Sequence, residues 1–327
     1  MRFRPILSVG SVLGVSAAAV FATAPGASGA PTDLGLDAVD TVTGSVEVEQ
    51  VPEAATETVE DYWTPARMAA ATPMQKTHDE DLDPQVLDDL LGSIQELNPR
   101  TILPGSSSER QDPSESPHIG KVFFSTEQGD FVCSGNLVAS ANQSTVSTAG
   151  HCLHDGDGGD FATNFAFAPA YEYGESEHGV WAAEELTTTS QWAENSEFDF
   201  DVGFAVMETK NGTTIEQQVG ESSAVAFNQP RGEFYSAYGY PAGPPFNGQE
   251  LQRCQGNAVD DPNGGSAQGV PCDMTGGSSG GPWFLSDGSD GAQNSVNSYK
   301  YVIDNDTMYG PYFGSEVEEV YDFASTR

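Results

Sequence analysis

Short runs of β-prone residues, separated by Gly, Pro, Asn and Asp, dominate the chain from His118 onward. Their aromatic and β-branched side chains are typical of strands. The clearest runs are KVFFST, FVCSGNLVAS, STVSTAG, FAFAPAY, DVGFAVM, FYSAYGY and SYKYVI. No repeat of fixed period is visible among them. This pattern predicts an all-β barrel or sandwich over residues 118–327.

The last stretch, SEVEEVYDFA, changes to the periodicity of a helix. Ser315 and Glu318 have the spacing of a capping box at its start. The apolar positions that share one side are Val317, Val320, Tyr321 and Ala324. We therefore predict one closing helix.

Residues 1–30 contain two arginines, then an apolar run, then small residues. This order is typical of a secretory signal peptide. The apolar run is short for a membrane span, so a signal anchor is the weaker alternative. Ser28 and Ala30 fit a small-x-small cleavage pattern, although Pro31 would then follow the cut. No later segment of the sequence is apolar enough to cross a bilayer, so we expect a secreted, extracellular protein.

Residues 31–117 are acidic, and up to Glu115 their only aromatic side chains are Tyr62 and Trp63. Little apolar surface is available to offset the entropy of ordering, so we expect most of this segment to be disordered. One exception is LDPQVLDDLLGSIQEL, residues 82–97, whose apolar stripe predicts an amphipathic helix. The stretch PGSSSERQDPSESP that follows has the composition of a linker.

The charge of the chain limits its partners. Of 327 residues, 49 are acidic and 12 are basic, which gives a formal net charge of -37. Such a charge repels nucleic acid and anionic membranes, and we expect neither as a partner. It fits a protein that stays soluble in high salt or simply a secreted acidic protein, and we expect a monomer in either case.

Four cysteines occur in the sequence: Cys133, Cys152, Cys254 and Cys272. An even number in an exported chain indicates disulfides, for which three pairings exist. Proximity in the sequence favours Cys133–Cys152 and Cys254–Cys272, each worth about 3 kcal/mol by chain-entropy reasoning. Because no C-x-x-C pair is present, a zinc site is the weaker interpretation.

The stretch TGGSSGGP, residues 275–282, holds two adjacent serines among four glycines. Gly277 to Gly281 satisfies G-x-S-x-G, the nucleophile elbow of α/β-hydrolases, in which the histidine follows the serine. All five histidines of this chain precede Ser279. An α/β-hydrolase would therefore have no base, and a base for a serine nucleophile must lie upstream.

His151, in STAGHC, is the candidate base, because a disulfide at Cys152 would hold its imidazole in place. Such a base needs a carboxylate that fixes its tautomer and stabilises its charged form. EFDFDVGFAVM offers Asp199 and Asp201, which strand alternation places on the same side. Asp201 directly precedes the apolar run, so we expect it to be the buried one.

STAGHC, DVGFAV and GGSSGGP resemble, in this order, the signature segments of trypsin/chymotrypsin-like serine proteases. FVCSGNLVAS resembles the segment whose cysteine bridges to the one after the histidine. The resemblance covers residues 118–327 and is strongest to secreted bacterial members, including the glutamyl-endopeptidase-like branch. It implies two antiparallel six-stranded β-barrels with the site between them. It also implies a nucleophile, a base, its orienting carboxylate and two oxyanion-hole N–H groups, which correspond to Ser279, His151, Asp201, and Gly277 with Ser279.

Ser278 departs from the family pattern. Many members have an aspartate there that pairs with a freed N-terminal amine, and with serine that switch is absent. Removal of residues 31–117 would then unblock the site or release a folding aid, with a cut in SSSERQDP near Arg110. The alternative is that the segment is only an acidic spacer.

Three further positions correspond to the family's substrate pocket: Asp273, Asn297 and Ser298. Asp273 lies six residues before Ser279, as in members that bind Arg or Lys, but Cys272 alters the local spacing. Asn297 falls where glutamate-specific members have a histidine, and Ser298 matches the serine that hydrogen-bonds the catalytic carboxylate. The low number of basic residues offers no obvious counter-ion for an acidic substrate, so the sequence leaves the specificity open.

The acidic turn HDGDGGD contains Asp155, Asp157 and Asp160, whose spacing is similar to the start of a calcium loop. It lacks the later bidentate Glu, and we interpret it as a solvated turn. We predict neither a metal nor another cofactor.

Taken together, these features predict a secreted serine endopeptidase, made as a precursor, that hydrolyses proteins or peptides through an acyl-enzyme. One alternative is a non-catalytic binding protein on the same scaffold, although inactive relatives usually lack at least one triad residue. An esterase on the same scaffold is another alternative and would share the site.

Overall fold

The computed structural model describes residues 45–51, 58–78 and 107–327. The strands up to residue 207 are β1 (Val46–Gln50), β2 (Thr72–Pro73), β3 (Lys76–Thr77), β4 (Glu109–Arg110), β5 (Ile119–Thr126), β6 (Gly129–Leu137), β7 (Thr145–Thr148), β8 (Thr163–Pro169), β9 (Trp181–Thr189) and β10 (Gly203–Met207). Those after it are β11 (Phe234–Gly239), β12 (Gln252–Asn257), β13 (Val259–Asp260), β14 (Gln268–Pro271), β15 (Pro282–Phe284), β16 (Gln293–Val296), β17 (Tyr299–Tyr301) and β18 (Asp304–Gly310). The α-helices are α1 (Val59–Tyr62), α2 (Pro65–Ala70), α3 (Ser190–Asn195), α4 (Ile215–Val219) and α5 (Ser315–Ala324), and short 3-10 turns occupy Pro113–Glu115, Gly150–Cys152 and Phe198–Phe200.

Six antiparallel strands close into a barrel in the first half of residues 118–327. They pair in the order β9–β10–β7–β6–β5–β8, and β8 pairs back with β9 to complete the ring. Alternation along β5 sends Val122 and Phe124 into the barrel core, while Phe123 joins a second apolar cluster that contains Trp63. The strand runs that the sequence showed before residue 208 therefore form this barrel.

The second half consists of two five-stranded sheets, β16–β15–β11–β12–β4 and β13–β14–β18–β17–β3. Side chains from both sheets form a shared apolar cluster, in which Tyr235 and Trp283 meet Val270 and Met308. The two sheets thus enclose one core. The family resemblance predicts a single six-stranded barrel here, whereas the strands pair as two separate sheets.

The closing helix α5 begins at Ser315 and ends at Ala324, and it buries Val317, Val320 and Ala324 against the first barrel. The all-β fold with one C-terminal helix is confirmed. The predicted capping box is wrong: Gly314 is the N-cap, no side chain caps the helix, and Ser315 Oγ donates to Glu316 instead.

Two stretches of the expected pro-segment have a definite place on this fold. Residues 45–51 and 58–78 belong to the same compact unit, Asp40–Arg327, as the barrels. β1 pairs antiparallel with β9, and Trp63 is only 2% exposed in its apolar cluster. The expected disorder therefore does not hold for these stretches, because β-prone and aromatic residues there find partners on the barrels. The predicted signal peptide and the helix over residues 82–97 lie outside the described residues.

Within residues 45–51, 58–78 and 107–327, no helix combines the length and the apolar character that crossing a bilayer requires.

Candidate active site

His151 and Asp201 meet in the interior, on neighbouring elements of the first barrel. His151 lies in the 3-10 turn that follows β7, and its neighbour Cys152 forms a disulfide with Cys133 of β6. Asp201 follows the turn Phe198–Phe200 and directly precedes β10. The disulfide fixes the turn that carries His151 to β6, and β10 fixes the position of Asp201. Each residue of the His151–Asp201 pair is therefore held by a strand of the first barrel.

Three donors converge on the carboxylate of Asp201, which is completely buried. His151 Nδ1 donates to Oδ2 at 2.7 Å, the His151 backbone N–H donates to Oδ1 at 2.7 Å, and Ser298 Oγ donates to Oδ2. Burial by itself would raise the pKa of Asp201, but the adjacent imidazole and these hydrogen bonds hold that pKa below its ordinary value. The carboxylate therefore stays ionised and fixes the His151 tautomer with its proton on Nδ1.

Asp199, which strand alternation could not separate from Asp201, has a different role. Its carboxylate accepts the backbone N–H groups of Ser266 at 2.9 Å and Ala267 at 2.7 Å. It therefore holds a loop of the second half, and Asp201 is the carboxylate on His151.

The two adjacent serines are distinguished by their hydrogen bonds. Ser278 Oγ donates to the carbonyl of Thr275 at 2.7 Å, within its own turn. Ser279 Oγ instead donates across the cleft to the Met74 carbonyl at 3.5 Å. Ser279 is thus the serine that faces outward from the turn, while Ser278 holds the turn together.

Gly277 supplies a backbone N–H to the same cleft. Its φ of +94° lies in the region that favours glycine, and a Cβ there would lie 2.9 Å from the Tyr240 carbonyl oxygen. This conformation aims the N–H at the Met74 carbonyl, which accepts it at 2.8 Å. An N–H donor beside the Ser279 hydroxyl is the arrangement that stabilises an oxyanion.

His151 Nε2, the nitrogen that would act as the base, is buried and has no hydrogen-bond partner among the described residues. The hydroxyl of Ser279 is engaged by Met74 rather than by this nitrogen. Catalytic hydrogen bonds often tighten only when substrate is bound, and His151 Nε2 has no other bond within the described residues that would have to break first.

A pocket opens next to Ser279, between the serine turn and β17. Of the three predicted pocket residues, only Ser298 lines it. Asp273 lies outside the lining and accepts the Ser108 N–H at 2.8 Å. Asn297 is also outside, because Trp283 Nε1 donates to its Oδ1 at 2.7 Å and its Nδ2 donates to the carbonyls of Tyr238 and Ser278.

Lys300 is a pocket residue that the sequence analysis missed. Its ammonium is buried, lines the pocket, and donates to the carbonyls of Cys272 at 2.7 Å and Asn305 at 2.5 Å. Burial lowers the pKa of Lys300 to about 8. Its position two residues after Ser298 on the pocket strand was the signal in the sequence that could have identified it.

The second disulfide, Cys254–Cys272, links β12 to the residue after β14 and so joins the two sheets of the second half. In the described residues, the one group with metal-ligand spacing is Cys133, His151 and Cys152. Its sulfurs are bonded to each other and its imidazole faces Asp201, so these residues do not fit a metal site. In the acidic turn, Asp157 and Asp160 are exposed.

Comparison with known proteins places this geometry in context. A family model described as Trypsin matches residues 106–322. The chain is 69% identical to a thermostable serine protease, AL20, from an extremophilic microorganism (TM-score 0.65; 65% of this chain, 99% of that one). It is 50% identical to the protease Anisep from Arthrobacter nicotinovorans (TM-score 0.65; 67% and 100%). A Glu endopeptidase, 16% identical with a TM-score of 0.56 over 67% of this chain and 97% of that one, shares the fold.

Among curated proteins, the chain is 27% identical over 128 residues to an extracellular metalloprotease of Bacillus subtilis. The match covers 38% of this chain and 40% of that protein, so the chain spans about two fifths of the length of this relative.

Proposed function

The chain belongs to the trypsin family, and on this basis we propose that it is a secreted serine endopeptidase that cleaves protein or peptide substrates through Ser279, His151 and Asp201. The observation that carries the proposal is the buried Asp201–His151 pair, in a chain whose serine turn presents the Ser279 hydroxyl and the Gly277 N–H to one carbonyl oxygen. Cleavage of peptide libraries would measure which substrate side chain the pocket lined by Ser298 and Lys300 accepts.

In the proposed mechanism, Ser279 Oγ attacks the scissile carbonyl carbon while His151 Nε2 takes the hydroxyl proton. Asp201 stabilises the imidazolium that forms, and the N–H groups of Gly277 and Ser279 bind the oxyanion. The C–N bond then breaks, and the leaving amine takes the proton from His151. Water, activated by the same imidazole, releases the acyl group and restores Ser279.

We also propose that the protein is exported and processed. Two disulfides suit an oxidising compartment, and the N-terminal residues have the pattern of a signal peptide. N-terminal sequencing of the secreted product would test this part. A mature chain that begins upstream of SSSERQDP, residues 106–113, would contradict removal of the pro-segment.

The two serines offer a matched test of the catalytic assignment. Ser279→Ala should abolish peptide hydrolysis, because it removes the hydroxyl that shares the Met74 carbonyl with the Gly277 N–H donor. Ser278→Ala, one residue away, should retain hydrolysis, because the hydroxyl that it removes donates within its own turn, to the Thr275 carbonyl. Circular dichroism of both variants checks folding. Loss of hydrolysis in Ser278→Ala with activity retained in Ser279→Ala would reverse the assignment.

A further inference from the structure

Residues 72–78, here named the cleft segment, cross the candidate active site from one barrel to the other. At one end, β2 pairs parallel with Phe131 and Val132 of β6, and Met74 N donates to the Val132 carbonyl at 3.0 Å. At the other end, β3 pairs parallel with β17, and His78 N donates to the Lys300 carbonyl at 3.1 Å. The segment is therefore held by backbone hydrogen bonds on both sides of Ser279, as a bound peptide would be.

The middle of the cleft segment occupies the catalytic donors. The carbonyl oxygen of Met74 accepts the Gly277 N–H at 2.8 Å and the Ser279 hydroxyl at 3.5 Å. His151 Nε2 has no partner in the described part of the chain. The segment thus takes both the oxyanion donor and the nucleophile away from an incoming substrate.

Residues of the cleft segment also lie against the neighbouring subsites. Gln75 and Lys76 line the pocket beside Ser279. The ring of His78 lies in an aromatic cage, with centroid distances of 4.8 Å, 5.5 Å and 5.7 Å to Phe198, Tyr299 and Tyr301. A substrate strand that pairs with β17 would therefore have to displace the cleft segment, together with the His78 ring, to reach the pocket and the cage.

The direction of the cleft segment is opposite to that of a productive substrate. His151 returns its proton to the leaving amine, so the C-terminal side of a scissile bond must lie toward His151. The disulfide from Cys152 to Cys133 places β6 on that side. A substrate therefore runs from β17 to β6, whereas the cleft segment runs from β6 to β17.

We propose that the cleft segment is a built-in inhibitor. It lies in the active site in the chain direction opposite to that of a substrate, and for that reason it is not cleaved. The inference rests on the proposed function. The Gln75 nitrogen, which would be the leaving group, lies on the β17 side of the Met74 carbonyl. If Ser279 Oγ added to this carbonyl, the amine would receive no proton from His151. The new C–O bond would then break again, the proton would return to Ser279, and the C–N bond would stay intact.

Upstream residues anchor the cleft segment on the first barrel. Trp63 Nε1 donates to the Asn164 carbonyl at 2.6 Å, and Asp130 accepts from Tyr62 at 2.8 Å and from Arg67 at 2.7 Å. Because the segment is tethered this way, its binding is intramolecular and its effective concentration at the site is high. The chain stays latent until the segment is displaced or removed.

The first test measures how fast a serine-directed aryl phosphonate labels the intact full chain. The double variant Met74→Pro/His78→Ala removes the Met74 N–H donor and the ring in the cage. Thr77→Ala is the matched control, because the Thr77 residue is exposed, and Ser279→Ala is the labelling blank. We expect the double variant to label at least about tenfold faster than wild type, since two stabilising contacts are lost, and Thr77→Ala to label like wild type.

Equal labelling of wild type and the double variant would overturn the proposal that the cleft segment is an inhibitor, while the proposed protease function would still stand. If no form of the chain reacts, the proposed function fails, and the inhibitor with it.

A second measurement needs no variant to fold. The purified wild-type chain is incubated and its peptides are mapped by mass spectrometry. We expect the Met74–Gln75 bond to stay intact in the full chain, even when other bonds are cut. Cleavage between Met74 and Gln75 would show that the segment lies in the substrate direction and would overturn the reverse polarity.

Discussion

Replacing Asp201 with Asn should nearly abolish catalysis while leaving the fold in place. In the wild type, two carboxylate oxygens accept the His151 Nδ1–H, the His151 backbone N–H and the Ser298 hydroxyl. An asparagine has one acceptor oxygen, so its NH2 group faces a donor on at least one side. If the NH2 group faces His151 Nδ1, the imidazole moves its proton to Nε2 and can no longer act as the base.

The expected loss in kcat is about 10⁴-fold, or about 5.5 kcal/mol, which is typical of an intact triad with the wrong tautomer. The assay is peptide hydrolysis under single-turnover and steady-state conditions on the processed protein. Asp199→Asn is the matched control, because Asp199 lies two residues away and accepts only the loop N–H groups of Ser266 and Ala267. A loss of less than about tenfold in Asp201→Asn would refute the reasoning, as would an equal loss in Asp199→Asn.

Three further predictions follow from the same geometry. Gly277→Ala places a Cβ 2.9 Å from the Tyr240 carbonyl oxygen, so the backbone must shift and the N–H turns away from the oxyanion. We expect kcat/KM to fall roughly a hundredfold or more. Near-normal kinetics would show that the Gly277 N–H is not an oxyanion donor. The double variant Cys254→Ser/Cys272→Ser opens a loop with a sequence separation of 18 and should lose about 3 kcal/mol in urea unfolding; an unchanged midpoint would contradict this. Because the pKa of Asp201 is lowered on folding, its ionised form stabilises the protein above the unfolded pKa of about 3.9, and this stabilisation is lost as the pH falls below that value. The unfolding midpoint of wild type should therefore fall more steeply than that of Asp201→Asn below that pH, and parallel curves would count against the effect.

The sequence was informative where local pattern and tertiary structure agree. The strand runs from His118 onward form the barrels, and Val317, Val320 and Ala324 face inward on α5 as the periodicity indicated. The order of the histidine, aspartate and serine segments, through the family resemblance, led to His151 and Asp201, whose side chains are hydrogen-bonded to each other, and to Ser279. These features depend on short stretches whose periodicity or residue types can be read from the stretch itself, without knowing which other segments it contacts.

Other features depend on contacts between distant segments, which composition does not show. Residues 58–78 looked too polar to order by themselves, yet Trp63 packs against Phe123, with ring centroids 5.4 Å apart. The lone aromatic pair Tyr62–Trp63 in an acidic segment was the signal for this docking site. Asn297 lies outside the pocket, where Trp283 Nε1 donates to its side chain, whereas Lys300, in the middle of β17, lines the pocket. A single sequence does not show which of several neighbouring side chains will line a pocket formed by distant segments.

The central claim is that Ser279 is a nucleophile activated by His151. The most direct test treats the processed, exported protein with a serine-directed phosphonate and maps the modified peptide by mass spectrometry. We predict one adduct, on Ser279, that is lost when His151 is replaced by Ala. An adduct on Ser278, or no adduct on folded and processed protein, would contradict the account.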